Sequence, residues 1–246
     1  MKNDPSIVAE FIKSKLADQG HSADGTHPLI TISRQHGVGG YAMALRIAEI
    51  LTQKSHALTP WIAVDKNIAE HLMTNHHLPK QVTSFLTEEQ TGSIEEYIDL
   101  LFRLHTPREA IVEKMIQTML HLANIGHVVL VGRGSNVITA GFPRAVHLRL
   151  VASMERRVEW MMEDRSYTRK MAETEIRQVD NDRRKFVETF FRTDPDDIRR
   201  YDMVFNMDRV SREEAAQLAA HLVESPTFRE KEANRLAELR HQVLGV

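Results

Sequence analysis

The stretch Leu29-Ile30-Thr31-Ile32-Ser33-Arg34-Gln35-His36-Gly37-Val38-Gly39-Gly40-Tyr41-Ala42 decides the fold. It reads as a short buried strand, a glycine-rich turn and the first turn of an amphipathic helix. Such a junction aims backbone N–H groups and a helix N-terminus at one spot, which suits a phosphate. A phosphate loop of the G-x-x-x-x-G-K-[ST] type would add a lysine for the phosphates and a hydroxyl for magnesium. Here the glycines stay and both of those groups are absent. The stretch therefore argues for phosphate binding more firmly than for phosphoryl transfer.

Outward from this stretch, four more apolar runs follow: Trp61–Val64, His127–Val131, Ala145–Val151 and Asp202–Asn206. They are continuous rather than alternating, as strands of a parallel sheet buried on both faces are. Helical patterns fill the gaps. Met43, Ile47, Ile50 and Leu51 stripe the first. Thr106-Pro107-Arg108-Glu109 reads as a capping box with proline at the first helical position, opening a helix to about Asn124. Ser93–Leu104 and Ser153–Asp164 are further helices, and Ser211-Arg212-Glu213-Glu214 caps the last core helix. The alternation predicts an α/β fold with a mostly parallel sheet. Two connections exceed a minimal crossover: Asn67–Leu104 and the highly charged Thr168–Arg192. Insertions of this kind often close over a ligand.

Residues 1–28 read as a short N-terminal helix (5–18) and a turn-rich linker, 29–225 as the main domain, and 226–246 as a charged amphipathic tail helix. The chain has 246 residues, 42% hydrophobic and 27% charged, with net charge -2 and no cysteine. That composition is ordinary for a soluble globular protein. It supplies no global basic field for nucleic acid, and no run of 18 apolar residues for a membrane span. Disulfides, zinc–thiolate sites and cysteine nucleophiles are excluded. No secretory h-region is visible near the start, and the cytoplasm is the expected compartment.

Ligands of parallel α/β sheets sit beyond the carboxyl ends of the strands. After the first strand come the glycine loop, Arg34 and His36. After the second comes Asp65, either a ligand-facing carboxylate or the N-cap of a helix over Lys66–Met73. After the third comes Gly132-Arg133-Gly134, an arginine placed for bidentate contact with a phosphate. The charged segment presents Arg165, Arg169, Arg177, Asp180, Asp182, Arg183 and Arg184. These are either a lid's neutralising cations or a solvated face with i,i+4 pairs such as Glu173–Arg177 and Asp180–Arg184. His71, His76 and His77 lack zinc-motif spacing and read as surface, and no metal site is expected.

Taken together, Ile32–Gly40, Asp65-Lys66, Val131-Gly132-Arg133, Val179-Asp180-x-x-Arg183 and Tyr201–Asn206 resemble the cytidylate kinase-like family. This is a branch of the P-loop nucleoside monophosphate kinases. The resemblance runs in order from Leu29 to Glu224. It implies a three-layer sandwich, a five-stranded parallel sheet with helices on both faces, a helical monophosphate-binding insertion and a lid. It implies that Gly37, Val38, Gly39, Gly40 and Tyr41 hold the donor's phosphates. Asp65, Arg133 and Asp180 would face the acceptor, Arg183 would come from the lid, and Asn206 would lie near the donor base. The reaction implied is transfer of the γ-phosphoryl of ATP to CMP or dCMP with Mg2+, with Arg34, Arg133 and Arg183 neutralising charge.

The departures are Gly40 where the lysine would stand, Ala42 where the hydroxyl would, and Gly134-Ser135-Asn136 where an aspartate would follow Arg133. The kinase-like branch generally shares the missing lysine, and Arg34 is the residue expected to reach the phosphates in its place. A second reading is a nucleotide-binding regulatory protein without phosphotransfer, its terminal helices offering a homodimer surface. A third is a dinucleotide-binding oxidoreductase, since Gly37–Ala42 matches G-x-G-x-x-A. Against it, Asp65 lies 28 positions beyond Gly37, where about 20 is usual.

Overall fold

The computed structural model describes residues 27–54, 60–65 and 107–225. The expected helices at 5–18, 66–73, 93–104 and 226–246, Thr106, and the three histidines lie outside them.

Strand β1 (Leu29–Arg34) is followed by α1 (Gly40–Lys54), β2 (Ile62–Val64), α2 (Pro107–Ile125), β3 (Val128–Val131) and a four-residue helix α3 (Ser135–Ile138). Then come β4 (Ala145–Val151), α4 (Met154–Arg165), α5 (Arg169–Phe191), a 3-10 turn (Ile198–Arg200), β5 (Met203–Asn206) and α6 (Arg212–Glu224). All five expected strands are present. The second, third and fifth each begin one residue late; at the third, His127 turns into the left-handed region (φ 54°) before the ladder starts.

The sheet order is β2-β3-β1-β4-β5, and every pairing is parallel. β1 is central, and Leu29, Ile30, Thr31 and Ile32 are fully buried. Because strand side chains alternate, Ile30 and Ile32 face one layer and Leu29 the other. The first layer packs Met43, Ala44, Ile47 and Leu51 of α1 against Ala215, Ala216, Ala219 and Ala220 of α6. Alanines on α6 let the two helices approach closely. The second layer packs Val112, Met115, Met119 and Leu122 of α2 with Phe190 and Phe191 from the end of α5. The result is an α/β sandwich with helices on both faces. Among the described residues, no helix is long and apolar enough to cross a membrane.

Candidate functional site

The chain leaves β1 through Gln35, whose N–H donates to Leu150 O at 3.1 Å, and then turns through Gly37 (φ 89°) and Gly39 (φ 72°) into α1. Only glycine adopts those angles without strain. Helices α4, α5 and α6 begin on Ser153, Thr168 and Ser211, each of whose side chains accepts a first-turn N–H. Helix α1 begins on Gly39, which has no such side chain. The backbone N–H groups of Gly37 through Ala42 meet no acceptor among the described residues. An uncapped helix leaves its first few N–H groups open. Here the loop adds three more just ahead of them, which makes an anion-binding nest.

His36 is the exception in this loop. Its N–H donates to Asp180 Oδ1 at 2.7 Å, its carbonyl accepts from Arg157 Nη1 at 3.2 Å, and its Nε2 lies 2.9 Å from Glu175 Oε1. Arg157 also donates to Asp180 at 2.5 Å, and Arg165 to Glu175 at 2.9 Å. Burial lowers the His36 pKa, while its bond to Glu175 opposes the shift. The long helix α5 is thus stitched to the loop by its own carboxylates. The Asp180–Arg184 pair of the solvated-face alternative does not form, because Asp180 turns to the loop; Arg184 instead meets Glu188, Asp194 and Asp196.

Arg34 ends β1, and two glycines make room for it. A Cβ on Gly40 would lie 2.9 Å from Arg34 Cγ, and one on Gly132 would lie 2.0 Å from Arg34 Nη1. The stem therefore crosses the residue that stands where a lysine was expected, and the guanidinium rests on the turn after β3. Burial, then Arg183 and Arg133, push the Arg34 pKa down to about 9, with Asp65 opposing and Arg149 adding to the fall. Arg183 is lowered as well, by burial first and by Arg133 and Arg149, against Asp180. Its Nη1 donates to the Arg34 carbonyl at 3.3 Å. Arg133 sits between Gly132 (φ 80°) and Gly134 (φ 72°) with its own φ at 59°, and its guanidinium lies 5.4 Å from the Phe186 ring. Three consecutive left-handed residues lift it off the strand, a conformation that costs an ordinary residue about 1 kcal/mol.

These groups surround a cleft of about 950 Å³, lined by Arg34, Arg133, Arg149, Arg183, Asp180 and Phe186 among others. Of the residues singled out in the sequence, Arg34, Arg133 and Arg183 line this cleft; Asp65 does not line it, but its charge reaches Arg34. Asp180 lines the cleft too, but its carboxylate serves the loop. Gly37–Tyr41 do not line the cleft, and Arg34 links the two. Burial and Asp65 raise the Tyr41 phenol. Asn206 accepts from the N–H of Asp208 at the end of β5.

Two residues escaped the sequence reading. Arg149 on β4 lies opposite Ser33 in register, donates to Ser33 Oγ at 2.7 Å and pairs with Asp196, which also takes Arg184. Arg157 is buried at the loop. Arg149 did leave a signal: a charged residue inside the apolar run Ala145–Val151 must find a partner when buried.

A parallel five-stranded sheet with a glycine loop after its central strand and an arginine-bearing helix over its carboxyl ends defines a kinase-like α/β protein. The chain belongs to the cytidylate kinase-like family, whose sequence model matches residues 29–209. No curated protein matches. The crystal structure of an uncharacterized protein from Eubacterium ventriosum ATCC 27560 has the same fold. It is 15% identical, covers 80% of this chain and 98% of its own, and has a TM-score of 0.61. Shikimate kinase from Bacteroides thetaiotaomicron is more distant, at 12% identity, 89% and 99% coverage and a TM-score of 0.40.

Proposed function

We propose that this protein is a nucleotide-dependent phosphotransferase that moves the γ-phosphoryl of ATP to a small acceptor, a nucleoside monophosphate being the class the family suggests. One observation carries the reading. Arg34 is threaded between Gly40 and Gly132, with open loop amides on one side and Arg133 and Arg183 on the other. Several guanidiniums held this close lower one another's pKa, and an anion among them relieves that repulsion. A transferring phosphoryl group is such an anion, and neutralising its charge is most of what a protein contributes to this chemistry.

In this reading Gly37–Tyr41 hold the donor's phosphates through backbone N–H groups. Arg34 supplies the charge that a loop lysine would. Arg133 and Asp65 face the acceptor, and Arg183 closes from the lid helix. Asp180 acts on the acceptor side only indirectly, by holding His36 and Arg157 in place. The amides and arginines fit a polyphosphate. Among the described residues no group of three or more carboxylate or histidine ligands is gathered, and Mg2+ ordinarily takes one or two carboxylates and completes its shell with phosphates and water. When bound, the ion would supply positive charge that offsets that of the phosphates.

The test is ADP release from ATP, coupled to a panel of monophosphate acceptors. Turnover with at least one acceptor is expected, and Arg34→Ala should lower it by about 100-fold or more, the usual loss when one charge-stabilising donor goes. A second reading, nucleotide binding without transfer, is favoured by Gly40 in the lysine position and by Asp180 already seated on a loop N–H. ATP binding with no turnover for any acceptor would establish it.

A further inference from the structure

We infer that Arg212, at the head of α6, is a second phosphate-contacting cation of the glycine loop, reaching it from the side opposite in sequence to Arg34. The inference rests on reading Gly37–Ala42 as a cradle for a polyphosphate. A Cβ placed on Gly39 would lie 2.9 Å from Arg212 Nη2, so the guanidinium lies against the loop itself. Its neighbours explain why it goes there. Glu213 is taken by Arg46, with bonds of 2.6 and 2.9 Å, and by Gln217 at 2.8 Å. Glu214 closes the capping box with Ser211, accepting from its N–H at 2.9 Å and its Oγ at 2.7 Å. Both adjacent carboxylates are therefore committed elsewhere, and Arg212 has no acidic partner among the described residues.

Arg212 is an exposed side chain, but the backbone that carries it is held in place. The capping box fixes the first turn of α6. The segment before it is tied to the start of α4, because the Ser153 N–H donates to both Asp208 carboxylate oxygens at 3.1 and 3.0 Å. A guanidinium beside a run of open backbone N–H groups is one half of a fork-and-nest arrangement that grips phosphate oxygens. Two arginines from different elements, Arg34 from β1 and Arg212 from α6, thus flank the loop in which neither lysine nor hydroxyl is found. The ligand class is a polyphosphate chain, as in a nucleoside triphosphate.

The experiment is calorimetric titration of ATP and of inorganic tripolyphosphate into the full chain and into Arg212→Ala and Arg212→Lys. One charge-assisted phosphate contact is worth about a factor of ten in affinity. Arg212→Ala is expected to lose about that on both ligands, with part regained in Arg212→Lys and an unchanged melting temperature without ligand. Unchanged affinity overturns the inference. So does a loss on ATP with none on tripolyphosphate, which would place the contact on the nucleoside. So does a fall in the unliganded melting temperature of Arg212→Ala that Arg212→Lys shares, which would mark a structural role. If the wild-type chain binds tripolyphosphate and not ATP, the nucleotide reading fails while the arginine is still judged on tripolyphosphate. If it binds neither, both fall.

Discussion

At the scale of single residues, Arg34 and Gly40 have to be read together, because a Cβ on Gly40 would lie 2.9 Å from Arg34 Cγ. The glycine is small because the arginine stem crosses it. Putting a lysine at 40 therefore does not rebuild an ordinary phosphate loop; it evicts Arg34. Gly40→Lys should weaken ATP binding about tenfold, and a double-mutant cycle with Arg34→Ala should show strong coupling rather than additive losses, as contacting residues do. Additive effects would mean that the two do not meet.

The pH dependence follows from the depressed Arg34 pKa of about 9. Between that value and its ordinary one, the unfolded chain binds the extra proton. This residue's contribution to stability therefore rises with pH across that window, and its penalty is fully present below about 9. Anion binding has the opposite sign, since it favours the charged guanidinium. Because tripolyphosphate itself gains charge over this range, the comparison is with a variant: from pH 8 to 10 the affinity of the wild-type chain should fall relative to that of Arg34→Gln.

At the scale of elements, α5 is joined to the loop by Asp180 and Glu175, not merely laid over the sheet. Asp180 accepts from His36 N–H and from buried Arg157. Asp180→Asn should cost about 2 kcal/mol in urea unfolding, because it leaves Arg157 without its charge partner. Asp182, two residues on, only accepts from exposed Gln178. Asp182→Asn should stay within about 0.5 kcal/mol. Equal costs would remove the special place given to Asp180. This division was not legible in the sequence. The i,i+4 spacing of Asp180 and Arg184 pointed to a pair along the helix. The partner that wins, His36, is 144 positions away.

At the scale of the whole molecule, local pattern was enough to find the five strands, because parallel strands buried on both faces are short unbroken apolar runs. It was enough to find the glycine loop and the charged helix within Thr168–Arg192. It could not give the strand order β2-β3-β1-β4-β5, which depends on pairings across the chain. Nor could it find Arg149, whose meaning depends on Ser33 in the neighbouring strand and Asp196 beyond α5. Arg34 and Arg133 were legible because one ends β1 and the other lies two residues past the end of β3. Their shared cleft was not, since it needs β1 and β3 to be neighbours.

That adjacency makes a molecule-wide prediction. A polyanion that binds the folded cleft and not the unfolded chain raises the melting temperature by mass action. Tripolyphosphate should stabilise the wild-type chain by several degrees and Arg133→Ala or Arg183→Ala by clearly less. Identical shifts in all three would place the anion elsewhere.

The central claim is that Arg34 does the work of the loop lysine. It is tested most directly by titrating ATP into the wild-type chain and into Arg34→Ala under the same salt and pH. The account predicts measurable wild-type binding and a loss of about tenfold or more in the variant, the value of one charged phosphate contact. Equal affinity for the two proteins would contradict it.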